Sequence, residues 1–195
     1  GATVVTTANA ARDTIQIAGS STVLPYASIV AEEFGNTFPQ FKAPVVGSGG
    51  TGGGLKQFCQ GVGDNTIDIA NASRKIKDTE LDACKKAGVN QVQEIKIGYD
   101  GIVFASNVKK AAYKLKPVHV FTALAAQLPS NGKLVANPYT TWNQIDPSLP
   151  KEAITLVIPA SNHGTREVFQ EKMIDLGCES FDYFKKLDKD QQKKA

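Results

Sequence analysis

The chain has 195 residues, 42% hydrophobic and 21% charged, with a formal net charge of +3. That length and balance suit one folded domain or two small ones with a real core, and exclude a disordered or fibrous chain. No apolar run approaches the roughly 18 residues of a membrane span, and "GATVVTTANAARD" at the start lacks the basic-then-apolar pattern of a leader peptide, as would an exported chain already processed. The Lys/Arg surplus lies in the second half, much of it in "YFKKLDKDQQKKA", where both signs alternate as on a solvated helix or frayed tail. Only Tyr113 and Phe121 accompany the basic cluster "NVKKAAYKLKPVHVF", too few aromatics for a nucleic-acid surface, and no such partner is expected.

In chain order, "TIQIA" (14–18) reads as a strand. "SSTVLP" then turns into a helix whose Ala27, Val30, Ala31 and Phe34 recur as one apolar stripe. A second strand is expected near 44–46, followed by the glycine stretch "GSGGTGGG" (47–54) and a short helix with Leu55, Phe58 and Cys59 on one side. "NTIDIANAS" (65–73) reads as a third strand. "KDTELDACKKAG" (77–88) reads as a helix capped by Asp78 or Thr79 and stopped by Gly88. "QVQEIKI" (91–97) alternates as a half-buried strand, and the apolar "GYDGIVFASN" (98–107) as a strand crossing into a second unit.

Residues 117–150, rich in Pro, Asn and Ser, read as irregular and surface-lying, with His119 of "KPVHVF" as a strand residue of no chemical role. "AITLVIPAS" (153–161) reads as a buried strand. It leads through "NHGT" into the helix "REVFQEKMIDLG", with Val168, Phe169, Met173 and Leu176 on one side.

The alternation of strands and helices predicts an α/β fold with a mostly parallel sheet. Such sheets bind ligands at the carboxyl ends of their strands, where helix N-termini point. Small polar turns recur at such ends: "GSST" (19–22), "GSGGTGGG" (47–54), "NASR" (71–74) and "SNHGTR" (161–166).

Gly47, Gly49 and Gly52 match the dinucleotide pattern G-x-G-x-x-G, which opens a nucleotide-dependent enzyme as an alternative. The acidic residue this pattern needs is missing, since Asp64 and Asp68 are poorly placed for it. The phosphate-loop pattern fails because Lys56 is followed by Gln57. What remains is a bare-backbone stretch opening onto a helix start, suited to an anion, with Ser48 and Thr51 adding donors that a plain turn does not need. Ser21 and Thr22 are donors or only a helix cap. Arg74, beside Ser73, offers a fork for a tetrahedral oxyanion or is a surface arginine. Arg166, near Gly164 and Thr165 at a helix start, opposes the helix dipole and so needs an anionic partner, either a ligand or a carboxylate such as Glu167.

No catalytic set emerges. Ser161 and His163 lack the nucleophile-elbow sequence and an aspartate partner, so the chain is not read as an enzyme. Neither the three cysteines nor the two histidines show metal spacing, and no metal or cofactor is expected. Cys59 and Cys84 pair as one disulfide with Cys178 left over, or all three are buried thiols; sequence leaves both open.

In combination, "IQIAGSSTVLP", "GSGGTGGGLKQFCQG", "IDIANASRKI", "GYDGIVFAS", "TWNQIDPSLP" and "ITLVIPASNHGTREVF" resemble the phosphate-binding proteins of bacterial phosphate ABC importers, over about residues 14–184. The resemblance implies a type-2 periplasmic binding fold: an α/β domain over 1–97, a hinge or crossing strand over 98–106, and a second, incomplete α/β domain over 107–195, closing on the ligand. It implies inorganic phosphate as ligand, no cofactor, a membrane permease as partner, a monomer and a periplasmic location. The contacts it implies are Ser21, Thr22, Ser48, Thr51, Gly52, Ser73, Arg74, Gly164, Thr165 and Arg166. The sequence departs from the family at His163, where serine is common, and at Arg74, where some branches carry the aspartate that rejects sulfate. Sulfate or molybdate in the same fold is therefore a further alternative.

Overall fold

The structure is a computed structural model that describes residues 12–161 and 163–194. It divides at Asp100–Gly101 into two compact units. The first contains β1 (Gln16–Gly19), α1 (Leu24–Thr37), β2 (Val45–Ser48), α2 (Gly50–Phe58), β3 (Ile69–Asn71) and α3 (Asp78–Lys86). The strands form a parallel sheet in the order β2-β1-β3. Gly19 pairs with both Ser48 and Asn71, so the three strands end level at one edge.

Glycine explains how closely these elements approach. A Cβ on Gly54 would lie 2.5 Å from Gly19 Cα and 2.7 Å from Ala18 O, so α2 rests backbone-on-backbone against the end of β1. A Cβ on Gly19 would lie 2.1 Å from Asn71 O. Gly49 (φ 154°) and Gly50 (φ 73°) turn the chain from β2 directly into α2. The helix therefore starts inside the glycine stretch rather than after it, because contact with β1 outweighs the poor helix propensity of Gly52–Gly54.

On α1 only Ala31 is buried, while Val30 is 67% exposed, so the expected stripe does not form the buried face. Small residues set the rotation instead: a Cβ on Gly35, one turn after Ala31, would meet Ala43 Cβ at 3.0 Å. Phe34 stacks with Phe38 and Phe41.

The third strand is shorter than expected because Arg12 and Asp68 hold the preceding loop. Arg12 donates to the carbonyls of Asp64 and Thr66 and pairs with Asp68 at 2.5 Å, and the Asp68 carboxylate also accepts from Gln16 N.

A disulfide joins Cys59, at the end of α2, to Cys84 in α3, in a core cluster with Val89. Cys178 is free and buried. The cap of α3 is Lys77, not Asp78 or Thr79, since Glu80 reaches back to accept from Lys77 N at 2.8 Å. Gly88 (φ 85°) ends the helix as expected.

Residues 91–107 do not form the two expected strands. Their alternation is real, but no described strand forms a ladder with them, and Ile95 and Ile97 are exposed.

The second unit comprises α4 (Pro117–Leu124), β4 (Gln127–Ser130), β5 (Lys133–Ala136), α5 (Trp142–Ile145) and α6 (Gly164–Phe169). A π-helical segment (Gln170–Asp175), α7 (Leu176–Glu179), α8 (Asp182–Lys185) and α9 (Lys189–Lys193) follow. Its core gathers Phe121, Leu128, Cys178 and Phe184, with Phe121 and Phe184 ring centroids 5.5 Å apart. Residues 117–150 are thus structural rather than irregular. Asn131 and Gly132, both at positive φ, make the tight turn of the antiparallel β4–β5 hairpin.

His119 lies in α4, not in a strand. Its Nδ1 accepts from Lys116 N at 3.0 Å, which puts the proton on Nε2, and Nε2 donates to Asp146 Oδ2 at 3.1 Å. The valines on either side mimic a strand, whereas Pro117 opens the helix.

Residues 153–161 form only an isolated bridge, Ala153 to Thr141, and Val157 is exposed. The π-helical segment shifts the phase of the helix, so Ile174 and Cys178 pack on the core while Leu176 is 49% exposed; Phe169, just before the segment, is buried beside Phe104. In the charged terminal stretch Phe184 is fully buried, so only its surroundings are solvated.

Two stability measurements test this packing. Gly54→Ala is expected to lower unfolding free energy by about 3 kcal/mol in urea denaturation, because the new methyl group meets backbone that cannot yield. Reduction of Cys59–Cys84, which closes a loop with a sequence separation of 25, is expected to cost about 3 kcal/mol in the same measurement.

Candidate functional site

The level strand ends of the first unit place three turns side by side. After β1, Ser20 is fully buried, donates its N–H to Asn71 O at 2.9 Å and accepts from Thr22 N through Oγ at 3.2 Å. This bond fixes the turn that presents Ser21 and Thr22, both half-buried. After β2, Ser48 is exposed and leads into α2. Gly49 has no side chain to cap that helix, so the positive end of the α2 dipole and its first amides lie at this edge.

Thr51, in the first turn of α2, is 1% exposed. Its Oγ1 accepts from Ser73 N at 3.0 Å and shares a hydrogen bond with Ser73 Oγ at 3.1 Å. The glycine stretch and the turn after β3 are thereby joined, with Gly52 adjacent. The side-chain amide nitrogen of Asn71, at the end of β3, is buried with no hydrogen-bond partner among the described residues.

Arg74 follows Ser73 and is held from the far side. Its Nη1 and Nη2 bond Glu80 Oε2 and Oε1 at 3.0 and 2.8 Å, and Nη1 also donates to Lys75 O at 3.2 Å. The Arg74 side chain is 10% exposed. Burial pushes the Glu80 carboxyl up, but the bonds from Arg74 and Lys77 N outweigh it and hold the group below the ordinary glutamate value.

Seven of the ten expected contacts (Ser21, Thr22, Ser48, Thr51, Gly52, Ser73 and Arg74) therefore lie at one edge of the first unit. The other three belong to the second unit. There Gly164 is buried, Thr165 and Arg166 are half-buried, and all three open α6. Arg166 donates to Pro159 O at 3.0 Å through Nη1.

Sequence reading missed Ser20, Asn71 and Glu80. The first two stand inside turns that were singled out, but their buried positions depend on strand register. Glu80 carries the signal of a capping glutamate three residues after the cap, obscured because the cap position holds lysine.

The edge carries hydroxyls and a helix start, donor types that suit an oxyanion, and Arg74 follows Ser73 with its guanidinium bound to Glu80. It is ill-suited to a dinucleotide. Gly47 lies in an edge strand, and Asp68 precedes β3 at the opposite end of the sheet, bound to Arg12. Among the described residues no group of three His, Cys, Asp or Glu is placed to hold a metal ion, and no helix is long and apolar enough to cross a membrane.

The chain is similar to several known proteins. The chain is 36% identical over 169 residues to Protein SphX of Synechococcus elongatus, covering 86% of this chain and 46% of that protein. It is 31% identical over 157 residues to the Phosphate-binding protein PstS of Staphylococcus epidermidis, covering 80% and 43%. The crystal structure of a possible phosphate binding protein from Planctomyces limnophilus superposes with a TM-score of 0.57 at 31% identity, covering 84% of this chain and 52% of that one. The chain thus spans about half the length of the relatives it matches. Residues 4–194 match the model of a PBP superfamily domain, and with the strand-end architecture above, the chain belongs to that superfamily.

Proposed function

We propose that the carboxyl edge of the first unit binds inorganic phosphate, and that the chain is a solute-binding protein rather than an enzyme. The observation that carries this reading is the joining of Thr51 to Ser73 beside the α2 start, with Arg74 next in sequence. Together these bring hydroxyl and amide donors, a helix dipole and one cation to the turns of a single edge. The relatives named for phosphate binding support phosphate over other oxyanions. On this reading the protein acts as a monomer outside the cytoplasm and passes phosphate to the membrane permease of an ABC importer. No cofactor takes part.

Calorimetric titration of the chain with phosphate, sulfate, molybdate and NAD tests the reading. Phosphate is expected to bind with one site per chain, and NAD to produce no heat. Arg74→Ala and Thr51→Val are each expected to weaken phosphate binding more than about tenfold, roughly 1.4 kcal/mol. Thr51→Ser, which keeps the acceptor for Ser73 N, is expected to stay close to the parent. Binding of NAD without phosphate would overturn the function, and parental affinity in both Arg74→Ala and Thr51→Val would overturn the site. A preference for sulfate or molybdate would reassign the ligand within the same site.

A further inference from the structure

We infer that Glu80 is a positioning residue for oxyanion binding, acting entirely through Arg74. This rests on the proposed phosphate site. Both carboxylate oxygens of Glu80 bond Arg74, in the fork-to-fork geometry that fixes the plane of a guanidinium as well as its distance. Glu80 is itself anchored. Its Oε2 also accepts from Lys77 N, which locks the carboxylate to the first turn of α3. That helix is tied to α2 by Cys59–Cys84, and α2 carries Thr51, which holds Ser73, the neighbour of Arg74. Ser73 and Arg74, the second and third residues after β3, are therefore gripped from two helices, Ser73 by α2 and Arg74 by α3.

An arginine side chain left free loses much rotamer freedom when it orders on a ligand. Glu80 imposes that order before binding, so affinity should depend on it although it has no donor to offer an anion. The pair also carries no net charge.

A cap that merely stabilises α3 would affect folding and binding alike, whether or not Arg74 is present. A double-mutant cycle read by phosphate calorimetry separates the two roles. Glu80→Gln keeps an amide oxygen for Lys77 N and loses the charged fork. It is expected to weaken phosphate binding about tenfold in the parent, with a thermal midpoint within a few degrees. In an Arg74→Ala background the same change is expected to cause no further loss, and to recover some affinity by removing an unpaired carboxylate near the anion. Glu80→Asp keeps the charge but is one methylene too short to span Arg74 and Lys77 N together. It is expected to weaken binding as Glu80→Gln does, and serves alone if the glutamine variant does not fold.

The inference is overturned if Glu80→Gln or Glu80→Asp binds within twofold of the parent, or if the loss is equal with and without Arg74. If the parent chain binds neither phosphate nor sulfate, the proposed function fails first and this role with it. If the parent binds and Arg74→Ala weakens it while the Glu80 variants do not, only this role fails.

Discussion

The contact between Gly54 and Gly19 sets the position of everything at the candidate site. Two backbones meet where any side chain on Gly54 would strike Gly19 Cα at 2.5 Å. The first turn of α2 is thereby held beside the end of the central strand, with the positive end of its dipole at the sheet edge. Gly19 also yields to the third strand, whose Asn71 carbonyl would otherwise be struck by its Cβ and which accepts from Ser20 N. The glycines cost conformational entropy at each position. What they obtain is a helix start and two strand ends closer together than residues with side chains allow.

Around that contact the polar groups hold one another in place. Thr51 is almost fully buried yet satisfied, because Ser73 returns both its amide and its hydroxyl. Arg74 is satisfied by a carboxylate that is in turn held by the start of α3. Such bonds at low exposure gain strength from the reduced dielectric. The disulfide extends the same arrangement by fixing α2 to α3 beyond the site.

The second unit is organised differently. Its core is a set of tilted and edge-on aromatic rings around Phe184, closed by a helix that crosses α4 where a Cβ on Gly177 would lie 2.3 Å from Pro117 O. His119 belongs to this frame. Each of its ring nitrogens has a bond that fixes an element, one at the start of α4 and one to Asp146, so it is a cap and a tie rather than a base. The hydrogen bond to Ser148 N, foremost, keeps Asp146 below the ordinary aspartate range, with His119 adding to the effect.

Much of this was legible in the residues themselves. The strand–turn–helix order over residues 14–88, the small polar turns at the strand ends and the stop at Gly88 all follow from local chemistry: glycine where φ is positive, hydroxyls at helix starts, apolar runs between them. The hairpin was legible too, in Asn131–Gly132, but was masked by the surrounding Pro and Ser. Residues 91–107 and 153–161 show the limit of pattern reading, since alternation records which side chains share a face and says nothing of whether a neighbouring strand is there to bond. The residues of the turns name the kinds of donor at the candidate edge, and the motifs in combination name the family. That Cys59 pairs with Cys84, that Thr51 meets Ser73 and that Arg74 is held by Glu80 emerges only in the folded chain. Those pairings depend on strand register and helix rotation, which are settled by backbone contacts between segments distant in the chain.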